Sequence, residues 1–376
     1  GAATVNAGTG AVTMTAISAD GATINAVNTG TVNLDVAAAT GPATVNAAAG
    51  AAVSIDADSG NGGDKVSMLT LGNGGTFTIT DAPDAYTMSG ASGGIVKGTN
   101  AMFTGLALTD STTGGTTTVQ ITDIAGGGAQ TIDMDAVAAD IIEITGDANS
   151  AAGNLLNVAS GATVQISDAL GHALEITTVL ATPGDTAEVL NLNLTKAPGQ
   201  AIDVDDYETI TVTTSGTATT ANITAAATAT LTLNGSTALT LNTATTANTI
   251  DASAYTGAIT HTVTAANADN VTYGTGNDDV TVATGETATV NGGGGDDTLT
   301  ITGDMDAITF SGFEVITAGG AVTNSDASQW AGKSAILNGG NSITIDAADV
   351  ATIDLSGYTV AAAGDFFVVS GTLDAT

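Results

Sequence analysis

The sequence predicts an all-β fold: a parallel β-solenoid, or β-roll, of two-strand coils each roughly twenty residues long. Three observations carry that prediction. A short motif recurs at that interval, Gly and Asn punctuate it, and the composition suits a thin, regular interior. Ala, Thr, Gly, Val and Asn dominate, and only 3% of the 376 residues are aromatic. Small β-branched side chains fill a narrow stacked core, whereas an ordinary globular core of this size draws on more Phe, Leu and Trp.

The first coils show the repeat most plainly. Ala3-Thr4-Val5-Asn6-Ala7 returns 19 residues on as Ala22-Thr23-Ile24-Asn25-Ala26, and 21 residues later as Ala43-Thr44-Val45-Asn46-Ala47. Midway in each period a second strand is marked by Val12/Met14, Val32/Leu34 and Val53/Ile55, which alternate as inward-facing pairs do. These coils carry no acidic turns, so aliphatic packing and backbone pairing between neighbours suffice to hold them. After residue 76 the pattern loosens. Segments 76–80, 117–124 and 131–134 read as strands, while 136–144 and 167–176 each read equally as a short helix or a buried strand. Thr182-Pro183-Gly184-Asp185 breaks the pattern and divides the chain into an N-terminal solenoid, 1–180, and a C-terminal one, 181–376. Beyond it, 189–194, 209–213, 228–233 and 238–241 resume short, regular strands.

The C-terminal half holds the chemistry. Gly292-Gly293-Gly294-Gly295-Asp296-Asp297-Thr298-Leu299-Thr300 satisfies every position of the calcium-binding nonapeptide G-G-x-G-x-D-x-U-x, with U a large aliphatic residue. Tyr273-Gly274-Thr275-Gly276-Asn277-Asp278-Asp279-Val280-Thr281 matches with Tyr at the first Gly. Asp306 follows Asp297 by nine residues, with Ile308 two further on, although the glycines are gone. In such a repeat the glycines make a tight turn that exposes carbonyl oxygens, and the last three residues make a strand whose aliphatic side chain points inward. Two nonapeptides make one coil, so each turn stacks on the turn about eighteen residues away. The paired Asp carboxylates and turn carbonyls then form an all-oxygen cage suited to Ca²⁺. Asp278 and Asp297 are 19 apart, and the intervening turn, 283–289, keeps a Gly but carries Thr where Asp belongs and absorbs the extra residue. The expected site lies between turns 273–278 and 292–297, with Tyr273, Thr275, Asn277, Asp278, Gly292, Gly294, Asp296 and Asp297 as its ligand-bearing residues and Asp306 extending it. A further acidic turn, Ser59-Gly60-Asn61-Gly62-Gly63-Asp64, has Lys65 beside its Asp and no acidic partner turn one coil away; Asp64 is as well explained by a plain turn. Asp203, Asp205 and Asp206 make a secondary cation candidate.

Charge narrows the function. The net charge is −34, and the only basic residues are Lys65, Lys97, Lys196 and Lys333. Nucleic acid and anionic membranes are repelled, while bound cations relieve the self-repulsion. There is no Cys, which removes disulfides and thiolate chemistry. No apolar run of about eighteen residues exists, so nothing is expected to span a membrane as a helix. Gly1 opens the sequence with no signal segment before it, as in a processed chain or a piece of a longer one.

With these residues in view, the C-terminal half resembles the RTX-type surface-layer (S-layer) proteins of Gram-negative bacteria over roughly 185–320. The resemblance is carried by Glu188-Val189-Leu190-Asn191-Leu192-Asn193-Leu194, Tyr207-Glu208-Thr209-Ile210-Thr211-Val212, Ala229-Thr230-Leu231-Thr232-Leu233-Asn234-Gly235, Ala247-Asn248-Thr249-Ile250-Asp251-Ala252-Ser253, the two nonapeptides and Phe310-Ser311-Gly312-Phe313-Glu314-Val315, in that order. It implies export by type I secretion, folding on meeting extracellular calcium, and tiling into a two-dimensional lattice of like chains on the cell. A cell-surface glycan or lipopolysaccharide would anchor the layer. The expectation is therefore a non-enzymatic, self-assembling, extracellular protein with Ca²⁺ as its cofactor. A calcium-dependent adhesin or biofilm fibre comes second, and a secreted hydrolase with RTX repeats third.

Catalytic motifs are weak by comparison. Gly90-Ala91-Ser92-Gly93-Gly94 fits G-x-S-x-G without the strand–helix setting that the nucleophile elbow needs. His172 and His261 sit in ordinary alternating stretches, and Gly332-Lys333-Ser334 lacks the first Gly of a P-loop, with Ala327 in its place. Acid pairs such as Asp133/Asp135 are common, but a glycosidase would also need aromatic sugar platforms, for which Trp330 and five Tyr are thin material.

Overall fold

The computed structural model describes residues 4–7, 12–14, 22–26, 32–35, 41–56, 67–72, 74–126, 128–147, 153–178, 188–204, 206–226, 228–242, 249–263, 270–283, 287–303, 308–330, 333–346, 353–361 and 366–370. The chain is 54% strand and 3% helix, and its parallel strands wind into a β-solenoid with about 21 residues per coil. It divides into two compact units, Gly1–Asn193 and Leu194–Thr376.

In the first unit, one side of the coil is laid down by Thr4–Ala7, Ala22–Ala26, Ala43–Ala47, Leu69–Gly72, Ala85–Ser89 and Ala107–Asp110, paired in that order, and then by Thr131–Met134, Asn154–Val158 and Leu174–Thr177. The other side runs from Val12–Met14 through Val32–Asp35, Ala52–Asp56, Thr76–Asp81, Ile95–Thr99, Thr118–Asp123 and Ile141–Ile144 to Thr163–Ile166. The sequence repeat is the structural register: Thr4 pairs with Thr23 and Thr23 with Thr44, and Asn6 with Asn25 and Asn25 with Asn46. Period-2 alternation puts Ala43, Val45 and Ala47 inside and leaves Thr44 and Asn46 on the outer face. There the Asn25 amide donates to Asn6 Oδ1 (2.8 Å) and the Asn46 amide to Asn25 Oδ1 (2.9 Å), so a polar ladder runs along the stack. Further on, Gln120 and Gln165 donate to the two oxygens of Glu143 from the coils on either side. Of the two segments open to a helix or a strand reading, 136–144 and 167–176, neither is helical: each begins as turn or bend and runs into a strand, Ile141–Ile144 and Leu174–Thr177. Register slips at Gly98/Thr99, where a 3₁₀ turn, Asn100–Met102, follows.

The second unit repeats the plan. One side carries Thr209–Thr217, Thr230–Asn234, Thr249–Asp251, Asn270–Thr272, Ala288–Asn291 and Ile308–Ser311. The other carries Thr220–Ala221, Leu239–Leu241, Ile259–Val263, Asp279–Val282, Thr298–Ile301, Val315–Ala318, Ala335–Asn338 and Tyr358–Val360. A separate sheet of Val322–Asp326, Ser342–Asp346 and Phe366–Ser370 lies toward the C-terminus, with a single helical turn, Ala327–Trp330. The inward residues Val271, Val290 and Phe310 on one side and Val280, Leu299 and Ile316 on the other are buried. Each such side chain contributes about 2 kcal/mol of transfer free energy. That burial and the continuous backbone pairing position the turns between strands.

Candidate metal centre

Strand register builds the site. Thr260 pairs with Asp279, Asp279 with Thr298, and Thr298 with Val315. The residue before each of these paired positions therefore falls in one column: Ile259, Asp278, Asp297 and Glu314. Each acidic member reaches back one coil. The Ile259 N–H donates to Asp278 Oδ1 (2.6 Å), the Asp278 N–H to Asp297 Oδ1 (2.8 Å) and the Asp297 N–H to Glu314 Oε2 (2.8 Å). The carbonyls of the same column are used too, since Thr298 N–H donates to Asp278 O and Val315 N–H to Asp297 O. Three carboxylates thus satisfy the backbone at successive strand entries.

The glycines let these turns nest. Gly294 N–H donates to Gly274 O (2.8 Å) and Gly292 N–H to Ser311 O (2.9 Å). A Cβ on Gly274 would meet Tyr255 O, one on Gly276 would meet Gly257 O, and one on Gly295, at φ +136°, would meet Gly276 O. Only backbone fits at these points. Gly294, by contrast, has open space where a Cβ would go.

Asp278 and Asp297 are 2% and 0% exposed, and the Oδ2 of each is buried with no hydrogen-bond partner among the described residues. Burial pushes the Asp278 carboxyl up to about 6; the N–H of Ile259 offsets part of this and the charge of Asp297 adds to it. Burial also raises Asp297, against the Asp278 N–H and with the charges of Glu314 and Asp296. Two carboxylates one strand spacing apart, ~4.8 Å, repel by about 3 kcal/mol at an effective dielectric constant of ~20. The column thus holds its negative charge under strain that a proton or a cation relieves. Its donors are all oxygen, which fits a hard divalent ion and not a thiophilic one. Among the described residues no group of three or more His, Asp or Glu side chains gathers as a metal-binding set, so two carboxylate oxygens are what the side chains offer and carbonyls or water would complete any cage.

No family model matches this chain, and neither a curated protein nor a solved structure matches it.

The two nonapeptide turns lie one directly on the other, and of the expected residues Asp278 and Asp297 are brought together with unengaged oxygens. Asn277 and Asp296 are exposed beside them, the Asp296 N–H donating to Asn277 Oδ1 (3.1 Å). Thr275 is exposed and its N–H donates to Tyr255 O. Tyr273 sends its side chain into the core, where its hydroxyl meets His261 Nδ1 at 2.8 Å. Gly292 sits against the site, a Cβ there falling 2.9 Å from Asp297 Oδ2, while Gly294 lies at the open edge of its turn. Asp64, Asp205 and Asp306 lie outside the described residues. Asp203 and Asp206 are engaged with other groups.

Two participants escaped the sequence reading. Glu314 is the third rung, hidden because its coil is shorter, 17 residues from Asp297 against 19 between Asp278 and Asp297. The His261–Tyr273 pair spans the interior beside the column. Burial pulls the imidazole down to about 4, and Nε2 has no partner among the described residues. As for the G-x-S-x-G match, residues 90–94 form the turn between Ala85–Ser89 and Ile95–Thr99, with Gly93 packed on the backbone of Thr116.

Proposed function

We propose that this protein is structural: an acidic, calcium-stabilised β-solenoid that assembles with copies of itself into a surface layer on the outside of the cell. The observation that supports this most is the stacked pair Asp278 and Asp297, buried carboxylates whose second oxygens have no partner among the described residues. Asp278 and Asp297 would hold the ion, and Ca²⁺ would supply the charge that the column lacks. Extracellular modules bind Ca²⁺ at about 10⁻⁴–10⁻³ M, so the same chain is destabilised in a calcium-poor cytoplasm and stabilised outside. Among the described residues no helix is long and apolar enough to cross a membrane.

The test is to add millimolar Ca²⁺ to chelated protein and follow circular dichroism, melting and negative-stain electron microscopy. A rise in melting temperature together with regular two-dimensional arrays is the expected result. Identical melting in chelator and calcium overturns the switch. Discrete particles at every concentration overturn the lattice, and binding to a cell surface without arrays would favour the adhesin.

A further inference from the structure

The chain has twelve aromatic residues, and five of them gather at one place in the second unit. Trp330, fully buried, is the hub: Phe310 lies 5.2 Å from it, Phe367 5.4 Å and Tyr358 5.8 Å, ring centre to ring centre. Tyr358 also meets Phe367 edge to face at 5.2 Å. Above this cluster opens a cavity of about 220 Å³, walled by Phe310, Phe313 and Tyr358, with Glu314, Lys333 and Ser334 at its polar side. Phe310 and Phe313 are buried, so the ring left partly accessible is Tyr358.

Lys333 is one of only four cations in a chain of net charge −34, and it is set into this cavity rather than on the open surface. Its Nζ donates to Phe310 O (2.6 Å) and rides over the Phe310 ring at 4.0 Å from the centre. One of its three N–H bonds is thereby used and two remain. Glu314, also in the lining, accepts from Asp297 N–H with one oxygen, which leaves the other as an acceptor.

A cavity below the ~300–1,000 Å³ of drug-sized sites takes a single small ring. An apolar ligand would cover the half-buried Lys333 without giving its remaining N–H bonds a partner. An anionic one would enter against both Glu314 and the field of the whole chain. A cationic one would meet the Lys333 ammonium, so the lining suits a neutral ring with hydroxyl groups along its edge and C–H bonds on its face: the edge offers donors to a carboxylate and acceptors to an ammonium, and the face lies on an aromatic ring. We infer that the cavity bounded by Phe313, Glu314, Lys333 and Tyr358 is a binding site for one neutral pyranose unit of a polysaccharide. Its use as the contact between a surface layer and cell-surface glycan rests on the function proposed above, whereas sugar binding itself does not.

Trp330 is the only tryptophan and packs on Phe310 and Tyr358 of the cavity wall, so its fluorescence responds to changes there. The full chain, in calcium, is titrated with the methyl glycosides of glucose, galactose, mannose and N-acetylglucosamine and with rhamnose, to roughly tenfold above the millimolar Kd of a small ring. Glucuronate and acetate serve as anionic comparisons. At least one neutral sugar is expected to give a saturable change, more than tenfold weaker in Lys333→Gln and in Glu314→Gln, with circular dichroism unaltered. Either variant failing to fold leaves Ser334→Ala and the wild-type sugar panel to decide. No saturable response from any neutral sugar, an equal response to acetate, or binding unchanged in the folded variants overturns the inference. Array formation by electron microscopy is scored separately, so a protein that assembles without binding sugar loses this inference and keeps the surface-layer reading.

Discussion

Asp278 and His261 titrate over the same range with opposite consequences. A carboxyl raised from 3.8 to about 6 binds its proton more tightly in the folded chain, so its contribution to stability grows as pH falls from 6 toward 3.8. An imidazole lowered from 6.5 to about 4 does the reverse: its contribution is complete above 6.5 and is lost as pH falls toward 4. In chelator Asp278, joined by the likewise raised Asp297, opposes His261 in the wild type. Removing one exposes the other: Asp278→Asn should lose stability steeply from pH 6.5 to 4.5, and His261→Phe should gain it over the same interval. Urea midpoints across that range check both slopes, and parallel profiles in the two variants would refute the assignment. At this scale the sequence spoke clearly about Asp278 and Asp297, because a glycine turn that ends in Asp has a physical requirement at each position. It was silent on Glu314, displaced by a shortened coil. Alternation marks both Tyr273 and His261 as inward, but contact between them depends on which opposite sides of the coil come face to face, and no spacing rule states that.

Nested turns make two neighbouring glycines unequal. Neither Gly276 nor Gly294 needs a positive φ, yet a methyl group on Gly276 would collide with the Gly257 carbonyl while one on Gly294 meets nothing within 4 Å. Gly276→Ala should therefore cost about 2–4 kcal/mol and blunt the response to calcium, and Gly294→Ala should stay within about 1 kcal/mol. Thermal melts in calcium and in chelator separate them; equal losses would mean that the turns do not stack as described. The nonapeptide formula treats positions 274, 276, 292 and 295 as turn formers, and stacking shows that close approach is as much their purpose. Strands were legible wherever residues alternate strictly, as in Ala43–Ala47. They were ambiguous at Ile141–Ile144, where consecutive apolar residues hide the period and only pairing with Thr118–Asp123 and Thr163–Ile166 decides. The aromatic cluster was not legible, because Phe310, Trp330, Tyr358 and Phe367 come together only through coil stacking.

A chain of net charge −34 with four lysines repels itself as it folds. Sodium chloride should raise its stability in chelator by screening, since charges more than ~8 Å apart are largely masked at 0.15 M salt. Millimolar calcium should raise the melting temperature well beyond an equal ionic strength of sodium chloride, because the Asp278–Asp297 column is buried from bulk screening. Matched shifts would make calcium a counter-ion and no more. The in-register parallel pairing has a different consequence, for the history of the chain. Thr4, Thr23 and Thr44 pair with one another through the same positions of the same motif, so each coil presents its neighbour with nearly the surface that it receives. A duplication or deletion of one period leaves every remaining edge matched, and the length of such a protein can therefore change one coil at a time without a new fold having to be found.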